Sequence, residues 1–139
     1  MNVLLMLFVG AAGLATFSFL ARTRKIRVIP RIADAEFLEL YRLSFKDPDD
    51  LILRQRGLIA RHLRLPAEVL SPNQSLQELS RYCGFVGEYE TGIGDLEEEL
   101  LDLFEKAQIR REQAFPRSVG ELIHEFIIAT EALSAAYQS

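Results

Sequence analysis

VLLMLFVGAAGLATFSFL, residues Val3 to Leu20, holds no charged side chain, and Ala21 extends it. As a helix, this run covers roughly 28 Å, close to the hydrocarbon thickness of a bilayer. The next ten residues, RTRKIRVIPR (Arg22 to Arg31), carry cations and no anions. A cleaved secretory signal needs a basic start, an apolar stretch of about 7–15 residues and a small-residue cut site. Here the start is Met1-Asn2, the run is longer, and Phe17, Phe19 and Leu20 crowd the place of any cut. The sequence therefore predicts an uncleaved transmembrane anchor over residues 1–21. Flanking cations favour the cytoplasmic side. The expected topology is single-pass, with the N-terminus outside and an acidic domain, residues 32–139, in the cytoplasm.

Charge separates the chain into unlike parts. Arg22, Arg24, Lys25, Arg27 and Arg31 form a basic segment over residues 22–31. Beside an apolar helix, such a segment sets topology or meets anionic lipid headgroups, at about 1 kcal/mol per cation. All 20 acidic residues lie beyond it. An acidic body argues against nucleic acid, whose phosphates need clustered Lys and Arg. Cys83 is the single cysteine, so no internal disulfide can form; a buried, inert thiol is expected. Ala11 and Ala15, within a patch of small residues, have the four-residue spacing that permits self-association of membrane helices.

The rest of the chain reads as helices joined by polar loops. Phe37, Leu38, Tyr41 and Phe45 mark a helix over 33–45 by spacings of three and four. Asp47-Pro48-Asp49-Asp50 reads as a helix start, with Asp47 as cap and Pro48 in the first turn. That helix runs to Leu63. It sets Leu51, Leu58 and His62 on one side, with Ile52, Ile59 and Leu63 beside them. Gly57 within it suggests a close approach. Residues 65–75 form a loop with apolar anchors, before a short helix near Leu76 and Leu79. Four glycines make residues 80–94 a loop. Asp95 reads as the next cap, ahead of a stripe of Leu96, Leu100, Leu103 and Phe104. Ser118 and Glu121 match a reciprocal cap for the last helix. Its buried face is expected to run from Val119 to Tyr137. The fold class is all-α, with no convincing strand.

This order of parts resembles an acyl carrier protein over about residues 51–130. LRQRGLIARHLRLPAEVLSPNQSLQEL looks like that family's first helix, long loop and leucine-rich segment. GDLEEELLDLFEKAQI resembles the acidic second helix, and FPRSVGELIHEFI the opening of the last. The resemblance implies a small helical bundle. In the family, a serine within Asp-Ser-Leu at the start of the second helix receives a phosphopantetheine arm. Here the region reads Thr91-Gly92-Ile93-Gly94-Asp95-Leu96, and no serine lies between Ser80 and Ser118. Thr91 has a hydroxyl but is the more crowded nucleophile. Loss of the carrier chemistry is expected, and no cofactor is implied.

No other chemistry stands out. His62, His124 and Cys83 lack zinc-like spacing. The aspartates at 47, 49 and 50 lack the Gly and Glu of a calcium loop. His62 reads as a packed residue and His124 as a solvated one among glutamates. The reading that emerges is a non-enzymatic, membrane-anchored interaction or regulatory protein. Its acidic helix, with Glu97, Glu98 and Glu99 exposed, would receive a basic protein partner. A carrier with an atypical attachment residue, or a subunit of a membrane-associated enzyme, are the alternatives.

Overall fold

Helical periodicity closes on one core. In a computed structural model, α1 (Val3–Arg27), α2 (Asp34–Arg42) and α3 (Asp49–Leu63) are followed by a 3-10 turn (Ala67–Val69). Then come α4 (Leu76–Ser80), α5 (Gly92–Lys106) and α6 (Val119–Gln138). The structure describes residues 3–82, 92–111 and 114–138, with side-chain surroundings from residue 9 onward. Among these there is no strand, only an isolated antiparallel bridge between Ser75 and Ser118. The all-helical expectation agrees with this.

The core is made where α3, α5 and α6 pack on one another. Ile52, Ile59 and Leu63 of α3 meet Leu96 and Leu100 of α5, and Leu122, Ile123 and Phe126 of α6, all buried. Burying such side chains contributes roughly 1.5–3 kcal/mol each before chain entropy is charged against it. Phe37 and Tyr41 of α2 cover α3, and Leu70, Leu76 and Leu79 complete the wall.

The Ser75–Ser118 bridge places two helix starts at once. Leu76 N–H donates to Arg117 O (3.0 Å), Val119 N–H to Gln74 O (3.0 Å) and Gly120 N–H to Pro72 O (2.9 Å). Ser75 Oγ accepts from Gln77 N–H (3.2 Å), and Ser118 Oγ from Glu121 N–H (3.2 Å). The Glu121 carboxylate accepts from Arg117 N–H (2.7 Å), one residue before the position a reciprocal cap uses.

Two glycines exchange their expected roles. A Cβ on Gly57 would meet nothing within 4 Å, so no close approach occurs there. A Cβ on Gly92 would lie 2.4 Å from His62 O. The close approach is thus between the first turn of α5 and the end of α3. α5 begins at Gly92, so Asp95 lies within its first turn rather than at its cap.

The transmembrane reading is corrected. Among the described residues no helix is long and apolar enough to cross a membrane. The 25 residues of α1 run unbroken from the apolar stretch through Arg22, Arg24, Lys25 and Arg27. From residue 9 to Ala21 the helix covers about 20 Å, short of a bilayer core. The sequence argument from length needs residues 3–8, whose side chains fall outside the described set. The anchor over 1–21 and the single-pass membrane location, with its outside N-terminus and cytoplasmic domain, are therefore not carried forward. Residues 22–27 of the basic segment belong to α1. Ile26, Ile29 and Ile32 pack the following turn against the core.

One buried cation ties α2, α3 and the loop after α3 together. Arg56 is 1% exposed. Its Nη1 donates to Asp34 Oδ1 (2.7 Å), and its Nη2 to Ile32 O (3.0 Å) and Leu70 O (3.1 Å). Its guanidinium also lies 4.1 Å from the centre of the Phe37 ring. Burial pushes the group below its ordinary value, and the charge of Asp34 opposes that shift. A lysine is a point charge on a flexible stem and cannot reproduce this fork. Arg56→Lys should lower unfolding free energy by about 2 kcal/mol, read from urea midpoints.

Candidate functional site

Asp47 does not cap α3. Pro48 takes the N-cap position, and no side-chain cap bond is made there. Asp47 turns instead toward α2 and α6. Its Oδ2 accepts from Tyr41 Oη (2.6 Å) and lies 2.7 Å from His124 Nδ1. Phe45 stacks on the His124 ring with centroids 4.6 Å apart, and Tyr41 packs on Phe45 at 5.1 Å. The α2–α3 connection is thereby fastened to α6. His124 is a partner in this network rather than a solvated residue.

The neighbouring connection is fastened in the same way. Arg111 Nε donates to Glu125 Oε2 (2.8 Å), with both side chains largely buried. Arg111 also donates to Ala114 O (2.8 Å) and lies over the Phe115 ring. The face of α6 that reads as polar is therefore covered by two connections. Between them lies a cavity of about 330 Å³, lined by Phe45, Phe115, His124 and Glu125 among others.

The chemistry of this cluster is limited. A carboxylate on Nδ1 orients an imidazole. Nucleophilic catalysis would need a hydroxyl or thiol on the other nitrogen. Among the described residues, none is hydrogen-bonded to His124. Nor do the described residues contain a group of three or more His, Cys, Asp or Glu side chains placed to hold a metal ion. The arrangement is a polar lock between loops and helix.

The residues singled out in the sequence fall in several places. Cys83 and Thr91 lie outside the described residues. Glu97 and Glu98 are exposed on α5. Glu99 sits at its flank, where Oε2 meets His62 Nε2 at 2.9 Å; both are half-buried. Arg22 folds inward: Nε donates to Tyr82 O (3.2 Å), and Nη2 to Leu63 O (3.2 Å) and Arg64 O (3.0 Å). It thus satisfies carbonyls at the end of α3, where a cation is favoured. Arg24, Lys25, Arg27 and Arg31 are exposed. So are Ala11 and Ala15 on α1, with Val9, Leu14, Phe17, Phe19 and Leu20 around them.

Sequence reading missed Arg56, Arg111 and the Tyr41–Asp47–His124 network. The partners stand far apart in the chain, as with Asp47 and His124, and no local pattern marks them. One signal was present: Asp47 precedes a proline and two further acids that can serve the α3 dipole without it.

Compared with family models, curated proteins and solved structures, the chain matches none.

The Tyr41 phenol has a measurable pH signature. Burial, then the hydrogen bond to Asp47 and its charge, hold it well above its ordinary value. The unfolded chain releases this proton near pH 10, whereas the folded chain keeps it. Tyr41 thus contributes fully below pH 10, and its contribution is lost as pH rises beyond it. Relative to Tyr41→Phe, the native protein should lose about 1.4 kcal/mol per pH unit above pH 10, measured by urea unfolding from pH 8 to 11.

Proposed function

We propose that this chain is a non-catalytic helical interaction module that offers the outer face of α5 to a basic partner. The inner face of α5 buries Leu96, Leu100 and Phe104. The opposite face exposes Glu97, Glu98, Asp102 and Glu105 around Leu101, which is 46% exposed. That pattern carries the reading: an apolar centre with a charged rim, on a helix held rigid from behind. Charge at the rim steers an oppositely charged partner and fixes its register. Lys106 pairs with Asp102 (2.6 Å), which leaves Glu97 and Glu98 the freer carboxylates. A partner helix with Lys or Arg flanking an apolar stripe would fit.

The helix order supports keeping the carrier-like bundle within this proposal. A long helix, a loop with buried apolar anchors, an acidic helix and a last helix follow one another from α3 to α6. The missing serine argues that such a bundle serves here as a docking body.

Titration with a leucine–lysine helical peptide should shift amide resonances on the outer face of α5. Joint substitution E97K and E98K should weaken binding about tenfold or more, and raising salt from 50 to 200 mM should weaken it further. Shifts confined to other helices, or affinity unmoved by the double reversal, would overturn the proposal. Incubation with coenzyme A and a phosphopantetheinyl transferase should leave the intact mass unchanged. An added arm would restore the carrier reading.

A further inference from the structure

The apolar surface of α1 has no cover within its own chain. Arg22 fixes the end of this helix to the carbonyls of Leu63 and Arg64, at the close of α3. Ahead of that attachment, Val9, Leu14, Phe17, Phe19 and Leu20 are 55% to 73% exposed. Large apolar side chains gathered so on one helix mark an interaction surface. The same helix continues into Arg24, Lys25 and Arg27, all exposed. No acid occurs anywhere in α1. Phe17, Leu20, Arg24 and Arg27 follow one another at spacings of three and four, so apolar and basic residues share one side of the helix.

The outer face of α5 is the complement of that side. Glu97 and Glu98 stand one turn ahead of the exposed Leu101, and Asp102 and Glu105 follow it. Leu20 to Arg24 and Glu97 to Leu101 are equal steps of four residues, about 6 Å along a helix. Laid antiparallel, the two helices bring Leu20 onto Leu101 and Arg24 and Lys25 onto Glu97 and Glu98. The negative end of the α1 dipole then lies beside the positive end of α5. Two α1 helices laid on each other would leave these cations without acids.

We propose that α1 of one copy docks on the outer face of α5 of a second copy, and that the contact is returned across a two-fold axis. This rests on the docking reading of α5 and names the partner as the chain itself. Return of the contact closes the pair, the commonest arrangement of soluble oligomers.

Sedimentation of the full chain tests it, with circular dichroism checking that helix content is unchanged in each variant. The native chain should form dimers that weaken as salt rises. E97K/E98K sets a basic α1 against a basic α5, and R24E/K25E/R27E sets acid against acid. Arg22 is kept, because it caps α3. Each variant alone should dimerise about tenfold or more weakly than the native chain. Mixed in equal amounts, they should form a heterodimer within about threefold of native affinity, because opposite charges face each other in both contacts. The proposal is overturned if the native chain is monomeric or if the mixture stays apart. It is overturned too if E97K/E98K dimerises like the native chain, which assigns the contact to α1 on α1. A monomer that floats with phosphatidylcholine vesicles while α5 resonances stay unmoved assigns α1 to lipid and also overturns it. A monomer whose α5 still binds the leucine–lysine peptide overturns this proposal alone and leaves the docking reading standing. A native dimer that the peptide dissociates supports both.

Discussion

The guanidinium of Arg56 is the constraint on which the body depends. It lies at the meeting point of α2, α3 and the loop after α3, and its hydrogen bonds reach all three. Two of its acceptors are carbonyls of residues flanking helices, groups that neither helix can satisfy internally. A buried ion pair contributes little net stability against an apolar replacement, because desolvation offsets attraction. Its effect is directional. Asp34, Ile32 O and Leu70 O meet its two terminal nitrogens, while its buried Nε makes no hydrogen bond, so the cation orients α2 on α3 through Nη1 and Nη2. Phe37, stacked beneath the charge, makes that placement part of the core.

A second layer of constraint comes from connections rather than helices. The bridge at Ser75 and Ser118 aligns the starts of α4 and α6, and its flanking hydrogen bonds join loops some forty residues apart. The Asp47 and Arg111 networks then hold the α2–α3 connection, and the described residues that follow α5, on α6. The Asp47 and Arg111 locks each pair a charged side chain with a group on another element. Such fastening would suit the proposed docking role, in which a fixed arrangement of charge around an apolar centre is presented.

The division between the packed and unpacked parts of the helices follows from their lengths. α3 and α5 have 15 residues each and α6 has 20. The longer helix outruns its neighbours, so apolar periodicity near its end has nothing to bury against. That is why Tyr137 is exposed despite lying on the expected inner face. Leu51 and Leu58 of α3 are also partly uncovered, beside a groove that the last turns of α6 line. At the other end of the chain, α1 continues past its apolar stretch into the body, and Arg22 is taken up as a cap for α3. A cation that reads as one member of a basic segment thus acquires a distinct structural role.

Local pattern by itself determined that this chain is helical, where most helices lie, and that Ile52, Ile59, Leu96, Leu100, Leu122 and Phe126 face inward. Those properties follow from a period of 3.6 residues and from capping chemistry, both legible over a few turns. It also determined the acid-rich character of α5. Tertiary structure alone decided which charges are spent internally. Asp47, Glu125, Arg22 and Arg56 look like surface residues in the sequence, yet each is paired across a long separation. It alone decided that Gly92, rather than Gly57, is needed for space, and that the apolar run of α1 merges with a basic end inside one helix. The reason is common to all of these. A side chain's partner depends on distance after folding, and neither composition nor spacing along the chain encodes that distance.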